Sequence, residues 1–158
     1  GIHRAPTGEE YRQIFGGHFE RYRDRIHARD ARKGEEMVHL GASKNGTEMR
    51  VNRLGVEAHK ILIISSVEPH YFAGYTGGRK SFLPGIAAFE TIEQNHKLAL
   101  KREACALKLK GNPVHEDMID ALGTVKKEVF TINTVLDKNH RIYAAAAGDI
   151  YKSMEEAV

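Results

Sequence analysis

The sequence predicts an α/β layered domain, with a mixed or mostly parallel sheet flanked by helices. Three observations predict it. The run from His59 to Ser66 is the most apolar in the chain and rich in β-branched residues, as in a buried central strand. Two more strand-like runs, Glu128–Leu136 and Arg141–Ala147, follow later. Segments with apolar residues at helical spacing flank and separate these runs. A chain of 158 residues suffices for one such domain with a real core, and we read residues 1–158 as a single unit.

Each element has its own local reason. Thr7-Gly8-Glu9-Glu10 has capping-box spacing. Tyr11, Ile14, Phe15, Phe19, Tyr22 and Ile26 follow at helical intervals, which predicts a helix from about Thr7 to about Arg29. Gly16-Gly17 weakens its middle by about 1 kcal/mol per glycine relative to alanine, and marks where it would break. Met37–Leu40 and Glu48–Asn52 read as strands, with an Asn45-Gly46 turn between them. After the His59–Ser66 strand, Pro69 should end ladder pairing. A glycine-rich loop, 72–85, leads into a helix predicted over 86–101. Asn112 as N-cap and Pro113 at the first position open another helix that stops near Gly123. Gly148-Asp149 introduces a last helix.

Composition narrows the function classes. Hydrophobic residues make up 41% and charged residues 28%, the ordinary mix of a globular domain. No stretch approaches the roughly 20 apolar residues of a membrane span, so no membrane partner is expected. No apolar run follows the first charges, as a signal peptide requires. The single Cys105 excludes an intrachain disulfide framework and a cysteine metal cluster, which fits a reducing, cytoplasmic setting. Net charge is only +3. The basic stretch Arg21, Arg23, Arg25, Arg29, Arg32, Lys33 is interrupted by Glu20, Asp24, Asp30, Glu35 and Glu36, and reads as a solvated helix face rather than a nucleic-acid stripe. The opening Gly1-Ile2-His3-Arg4 and a C-terminus inside a helical pattern lead us to expect part of a longer protein.

The chemistry concentrates between His70 and His96. Ligands of open α/β sheets sit beyond the carboxyl ends of strands, and His70 follows the best strand directly. Imidazole is suited to proton transfer near neutral pH. Thr76-Gly77-Gly78-Arg79-Lys80 resembles an anion cradle of backbone N–H groups, a hydroxyl and two cations. It lacks the Walker A spacing. Lys80 beside Arg79 is a candidate nucleophile or anion clamp, and His96 a candidate metal ligand. Phe72 and Pro84 either wall a ligand or belong to the core.

Lys80 follows His70 by ten residues, and His96 follows Lys80 by sixteen. With His3-Arg4, Val51-Asn52-Arg53, Pro69-His70-Tyr71-Phe72-Ala73-Gly74, Gly77-Gly78-Arg79-Lys80, Leu83-Pro84-Gly85-Ile86, Asn95-His96, Gly111-Asn112-Pro113, Asn133-Thr134-Val135 and Gly148-Asp149, the chain resembles the lactate racemase family along nearly its whole length. Tyr75-Thr76 departs from a more usual aromatic-Ser pair, and His27-Ala28-Arg29-Asp30 receives no role.

The resemblance implies a racemase or epimerase of a small 2-hydroxy acid, lactate by default. It implies nickel held in a pyridinium-3-thioamide-5-thiocarboxylic acid mononucleotide, the nickel-pincer nucleotide. Lys80 would be tethered to this cofactor and His96 would ligate the nickel. His3 and His70 would act as paired acid/base residues. From their chemistry, Thr76, Gly77 and Gly78 would hold the cofactor phosphate or line its ring, and Phe72 and Pro84 would wall its face. Family members also carry an upstream segment and a C-terminal domain, expected here on the same protein. Two other readings stand beside this one: a non-catalytic nucleotide- or anion-binding module, and a zinc hydrolase. The zinc reading is weakened by the absence of a His-x-x-x-His or His-Glu-x-x-His pair.

Overall fold

The computed structural model describes residues 2–158. Thr7 caps helix α1 (Gly8–Phe15) with the reciprocal box that its spacing predicts. The Glu10 amide donates to Thr7 Oγ1 at 3.3 Å, and the Thr7 amide to Glu10 Oε2 at 2.7 Å. The helix does not reach Arg29. Gly16 adopts φ +55, outside the helical region, and the chain continues through short turns around α2 (Phe19–Tyr22). The break falls where the glycine pair placed it, because glycine alone reaches this φ without strain.

β1 (Met37–Ala42) and β2 (Glu48–Asn52) form an antiparallel hairpin. Asn52 caps α3 (Arg53–Glu57) by accepting from the Leu54 amide. β3 (Lys60–Ser66) leads into two short strands, β4 (Pro69–His70) and β5 (Gly74–Tyr75), which pair antiparallel. The expectation that Pro69 ends pairing is therefore corrected: Pro69 lies opposite Tyr75. Proline lacks a donor but keeps its carbonyl, so a short edge pairing survives. α4 (Phe89–Lys97) starts three residues later than predicted, because Ala87 bridges to Val51 in extended conformation. α5 (Pro113–Leu122) begins as predicted, with Asn112 Oδ1 accepting from the amides of Val114 and His115. β6 (Glu128–Leu136), β7 (Ile142–Gly148) and α6 (Lys152–Glu156) complete the chain.

The principal sheet has the order β3-β6-β7, with β3 parallel and β7 antiparallel to β6. This is the mixed sheet flanked by helices that the sequence predicts. The position of β3 is not as predicted. It is an edge strand, with Leu62 59% and Ile64 71% exposed, and β6 occupies the centre. An apolar β-branched run reports a strand, but which strand gains two neighbours is decided by pairing. The register sets Leu62 opposite Phe130, itself 50% exposed, so one sheet face is apolar and open. No helix among the described residues is long and apolar enough to cross a membrane.

The core lies between the other side of the sheet, the hairpin, and helices α4 and α5. Met49, Val51, Phe82, Leu83, Val114 and Met118 are buried there. Buried with them is a polar knot. The Asp117 carboxylate accepts from Ser43 Oγ at 2.5 Å, Thr47 Oγ1 at 2.8 Å, Asn95 Nδ2 at 2.8 Å and Asn45 Nδ2 at 3.3 Å. One side chain of α5 thus ties down the β1–β2 turn and α4. A buried carboxylate needs such donors to replace its water.

Candidate active site

The segment after β3 is a hairpin that returns its polar groups to the backbone. Gly74 adopts φ +79, and a Cβ there would fall 2.2 Å from the Lys108 carbonyl oxygen, so only glycine fits. The Thr76 hydroxyl donates to the Ser66 carbonyl and accepts from the Glu68 amide, both at 2.9 Å. The Gly78 amide reaches Asn133 Oδ1 at 3.1 Å and Ser65 Oγ at 3.2 Å. Gly77 packs so closely that a Cβ would lie 2.6 Å from Val67 Cγ2. Arg79 points inward, 1% exposed, and donates to the carbonyls of Ala73 at 2.8 Å and Tyr75 at 3.0 Å.

The polar groups of the cradle expected from Thr76 to Lys80 are engaged within the protein itself. The Thr76 hydroxyl, the Gly78 amide and the Arg79 guanidinium hold the loop in shape. Buried donors must find partners, and here the nearest are internal. Pro84 also has a structural duty. Its carbonyl accepts from Arg29 Nη2 and the Gly85 carbonyl from Arg29 Nε, each at 2.6 Å. Arg29, given no role from sequence, thus anchors the segment after Lys80.

Phe72 is the centre of what remains. Its ring meets His70 edge-on with centroids 4.6 Å apart, and His96 edge-on at 5.0 Å. Lys80 Nζ stands 5.8 Å from the same ring's centroid. Three residues, from β4, a short helical turn and α4, therefore surround one aromatic side chain. His3 lies apart from these contacts, exposed on the segment before α1. It lines a shallow recess with Arg4, Pro6 and Glu10, where Arg4 and Glu10 form a bidentate pair at 2.7 and 2.8 Å.

The cluster disfavours positive charge on its bases. Burial, then the Lys80 and His96 charges, lower His70 to about 4. Burial, then Arg79, lower Lys80 to about 8. His96 is lowered by burial and by Lys80, with the Ile92 carbonyl opposing. Three such groups in contact are the usual mark of a functional site. A cavity of about 560 Å³ between His27, Arg29, Glu36 and Arg53 contains none of them.

His70 Nδ1 accepts from the Ala73 amide at 3.2 Å, which in the neutral ring leaves the proton on Nε2. His96 Nδ1 is buried without a hydrogen-bond partner. Among the described residues, no group of three His, Cys, Asp or Glu side chains converges to hold a metal ion.

The Lys80 shift has a direct consequence. Its neutral amine fraction rises through pH 8, where an ordinary lysine is still protonated. Pulse acylation followed by peptide mass spectrometry should show Lys80 labelling with a midpoint near pH 8, well below that of a lysine in a short unstructured peptide. Because the folded state binds fewer protons at this site than the unfolded chain, the lysine also makes stability rise with pH between about 8 and 10.5. A Lys80 midpoint matching that of the peptide lysine would contradict the burial of this amine.

Sequence reasoning missed the centrality of Phe72 and the supporting roles of Asp117 and Asn133. Asn133 left a signal: an amide in the middle of the apolar strand EVFTINTVL. It is buried, accepting from Ser65 and Gly78 and donating to Ser153 Oγ at 3.1 Å.

Known proteins share the sequence pattern and the fold of this chain. Residues 1–107 match the lactate racemase N-terminal domain family. The chain is 36% identical over 155 residues to a lactate racemase of Thermoanaerobacterium thermosaccharolyticum, covering 97% of this chain and 36% of that protein. It is 35% identical over 152 residues to a lactate racemase of Lactiplantibacillus plantarum, covering 95% and 35%. The chain thus spans just over a third of the length of these relatives. The apoprotein structure of the Thermoanaerobacterium enzyme superposes with a TM-score of 0.87 at 34% identity, over 99% of this chain and 38% of that one. A Thermotoga maritima protein shares the fold, with a TM-score of 0.83 at 23% identity. With a family match over residues 1–107 and the same fold in a solved racemase, this chain belongs to the lactate racemase N-terminal domain family.

Proposed function

We propose that this chain is the cofactor-bearing part of a racemase of a small 2-hydroxy acid, lactate by default, that uses a nickel-pincer nucleotide. The observation that carries the reading is the gathering of His70, Lys80 and His96 around Phe72, with the amine lowered to about 8. A neutral lysine amine is what covalent attachment requires. A neutral imidazole is what ligation requires, and among the described residues too few side-chain donors gather here to complete a metal's coordination alone. Both features fit a group that brings its own sulfur donors. When bound, that group supplies the hydride acceptor that lets a 2-hydroxy acid pass through the planar 2-keto acid.

The chain's own residues do the rest. Phe72 gives the site an apolar wall and holds the two imidazoles apart. His70 takes the substrate hydroxyl proton at Nε2. To do so it must carry its neutral proton on Nδ1, and so give up the Ala73 hydrogen bond, a loss of about 1 kcal/mol. His3, on the exposed segment before α1, is the second acid/base residue in this reading. Two are needed because the hydroxyl of each enantiomer presents itself from a different side.

The test uses full-length protein from cells that make the cofactor. Intact mass should show an adduct that peptide mapping places on Lys80. Lys80→Ala should lose the adduct and reduce racemisation of lactate to background. Racemisation surviving in Lys80→Ala would refute the covalent assignment.

A further inference from the structure

The guanidinium of Arg79 poses a problem that the proposed chemistry does not use. It is 1% exposed, and its hydrogen-bonding partners are the carbonyls of Ala73, Tyr75 and Thr76 and the Met154 sulfur. Among the described residues, no carboxylate lies within ion-pair distance of it. A buried charge without a counter-ion is costly, and neutral carbonyls compensate only part of the lost hydration. Its Nε–H has no partner at all.

Arg79 also lines a cavity of about 320 Å³ between the loop, the start of α5 and α6. His115, in the first turn of α5, lines the same cavity, and its Nδ1 is likewise buried and unpartnered. Burial and the Arg79 charge lower His115 to about 4, so its ring is neutral and can present an Nδ1–H. Lys110 and Tyr151 stand at the wall, and Glu155 is the one acid. Arg79 and His115, each with a buried unpartnered nitrogen, thus line one cavity together with a second, exposed cation, Lys110. His70, Phe72, Lys80 and His96 are not among its lining residues.

We propose that this cavity binds a small oxyanion, a phosphate or carboxylate group, as the counter-ion of Arg79. The Arg79 Nε–H and His115 Nδ1–H would donate to its oxygens, and Lys110 would supply the outer charge. Charge-assisted hydrogen bonds of this kind are the strong ones. Because Arg79 precedes Lys80 and braces the loop through three carbonyls, occupancy would stiffen the turn that carries the candidate nucleophile. The anion could come from solution or be a phosphate of a bound nucleotide, and the two sources are separable by experiment.

The probe is inorganic phosphate, titrated into cofactor-free full-length protein and followed by calorimetry and by amide shifts of the 74–80 loop. Saturable binding is expected. Lys110→Ala and His115→Phe, the latter keeping a ring without its donor, should each weaken it about tenfold. Glu155→Gln should tighten it roughly threefold by removing the like charge. In cofactor-loaded protein, retained phosphate binding identifies a free anion as the occupant, and lost binding identifies the nucleotide's own phosphate. Absence of saturable binding, or equal affinity in Lys110→Ala, His115→Phe and wild type, would overturn the site.

Discussion

Asp117→Ala is expected to lower unfolding free energy by about 3–5 kcal/mol, from the loss of several hydrogen bonds to a charged acceptor in a buried position. For a domain whose whole stability is about 5–15 kcal/mol, that is a severe loss. The reason is the asymmetry of buried polar groups. Removing the carboxylate leaves the Ser43 and Thr47 hydroxyls without their acceptor, while Asn95 keeps only its bond to the Val114 carbonyl. Ser43→Ala deletes one spoke of the knot and the bond its hydroxyl accepts from the Thr47 amide, and should lose about 2 kcal/mol. Denaturant midpoints with unchanged slopes would measure both. The effect should also reach the site, since Asp117 holds Asn95 and Asn95 adjoins His96 on α4. If Asp117→Ala melted within about 1 kcal/mol of wild type, the knot would have no energetic role.

Asn112 gives the second large effect, and the informative comparison is between two substitutions. Its Oδ1 caps α5, while its Nδ2 donates to the carbonyls of Phe72 at 2.9 Å and of Cys105 and Lys108, both at 3.1 Å. Asn112→Ala removes both functions and should destabilise by about 2–4 kcal/mol. Asn112→Asp keeps an equally good cap but turns a carboxylate oxygen toward three carbonyls. Aspartate and asparagine rank alike as N-caps, so a residue acting only as a cap would tolerate the exchange. We expect Asn112→Asp to be at least as damaging as alanine, and to loosen Phe72 and with it the His70–His96 pair. Thermal melts of the two variants decide the matter. Near wild-type stability in Asn112→Asp would show that the three carbonyl contacts contribute little.

Much of this protein is written locally. The Thr7–Glu10 box, the Asn112-Pro113 helix start, the Asn45-Gly46 turn and the break at Gly16 need only short-range sterics and hydrogen bonds. They stand where the sequence puts them because such interactions are complete within a few residues. Strand–helix alternation sufficed for the α/β class, and the motif series from His3 to Asp149 for the family. The candidate site's segment was legible too, because His70, Lys80 and His96 fall within one stretch after a recognisable strand.

Only the tertiary structure decided what depends on a distant partner. Pairing with β6 alone made β3 an edge strand with Leu62 and Ile64 exposed, which its composition could not reveal. Contact with Asn133, far along the chain, fixed the Gly78 amide, and packing between distant elements made Phe72 the hub and gave Asp117 and Arg29 their duties. A periodic pattern specifies which positions are apolar or capped. It does not specify which buried donor will meet which acceptor, since that is settled by packing between elements many residues apart.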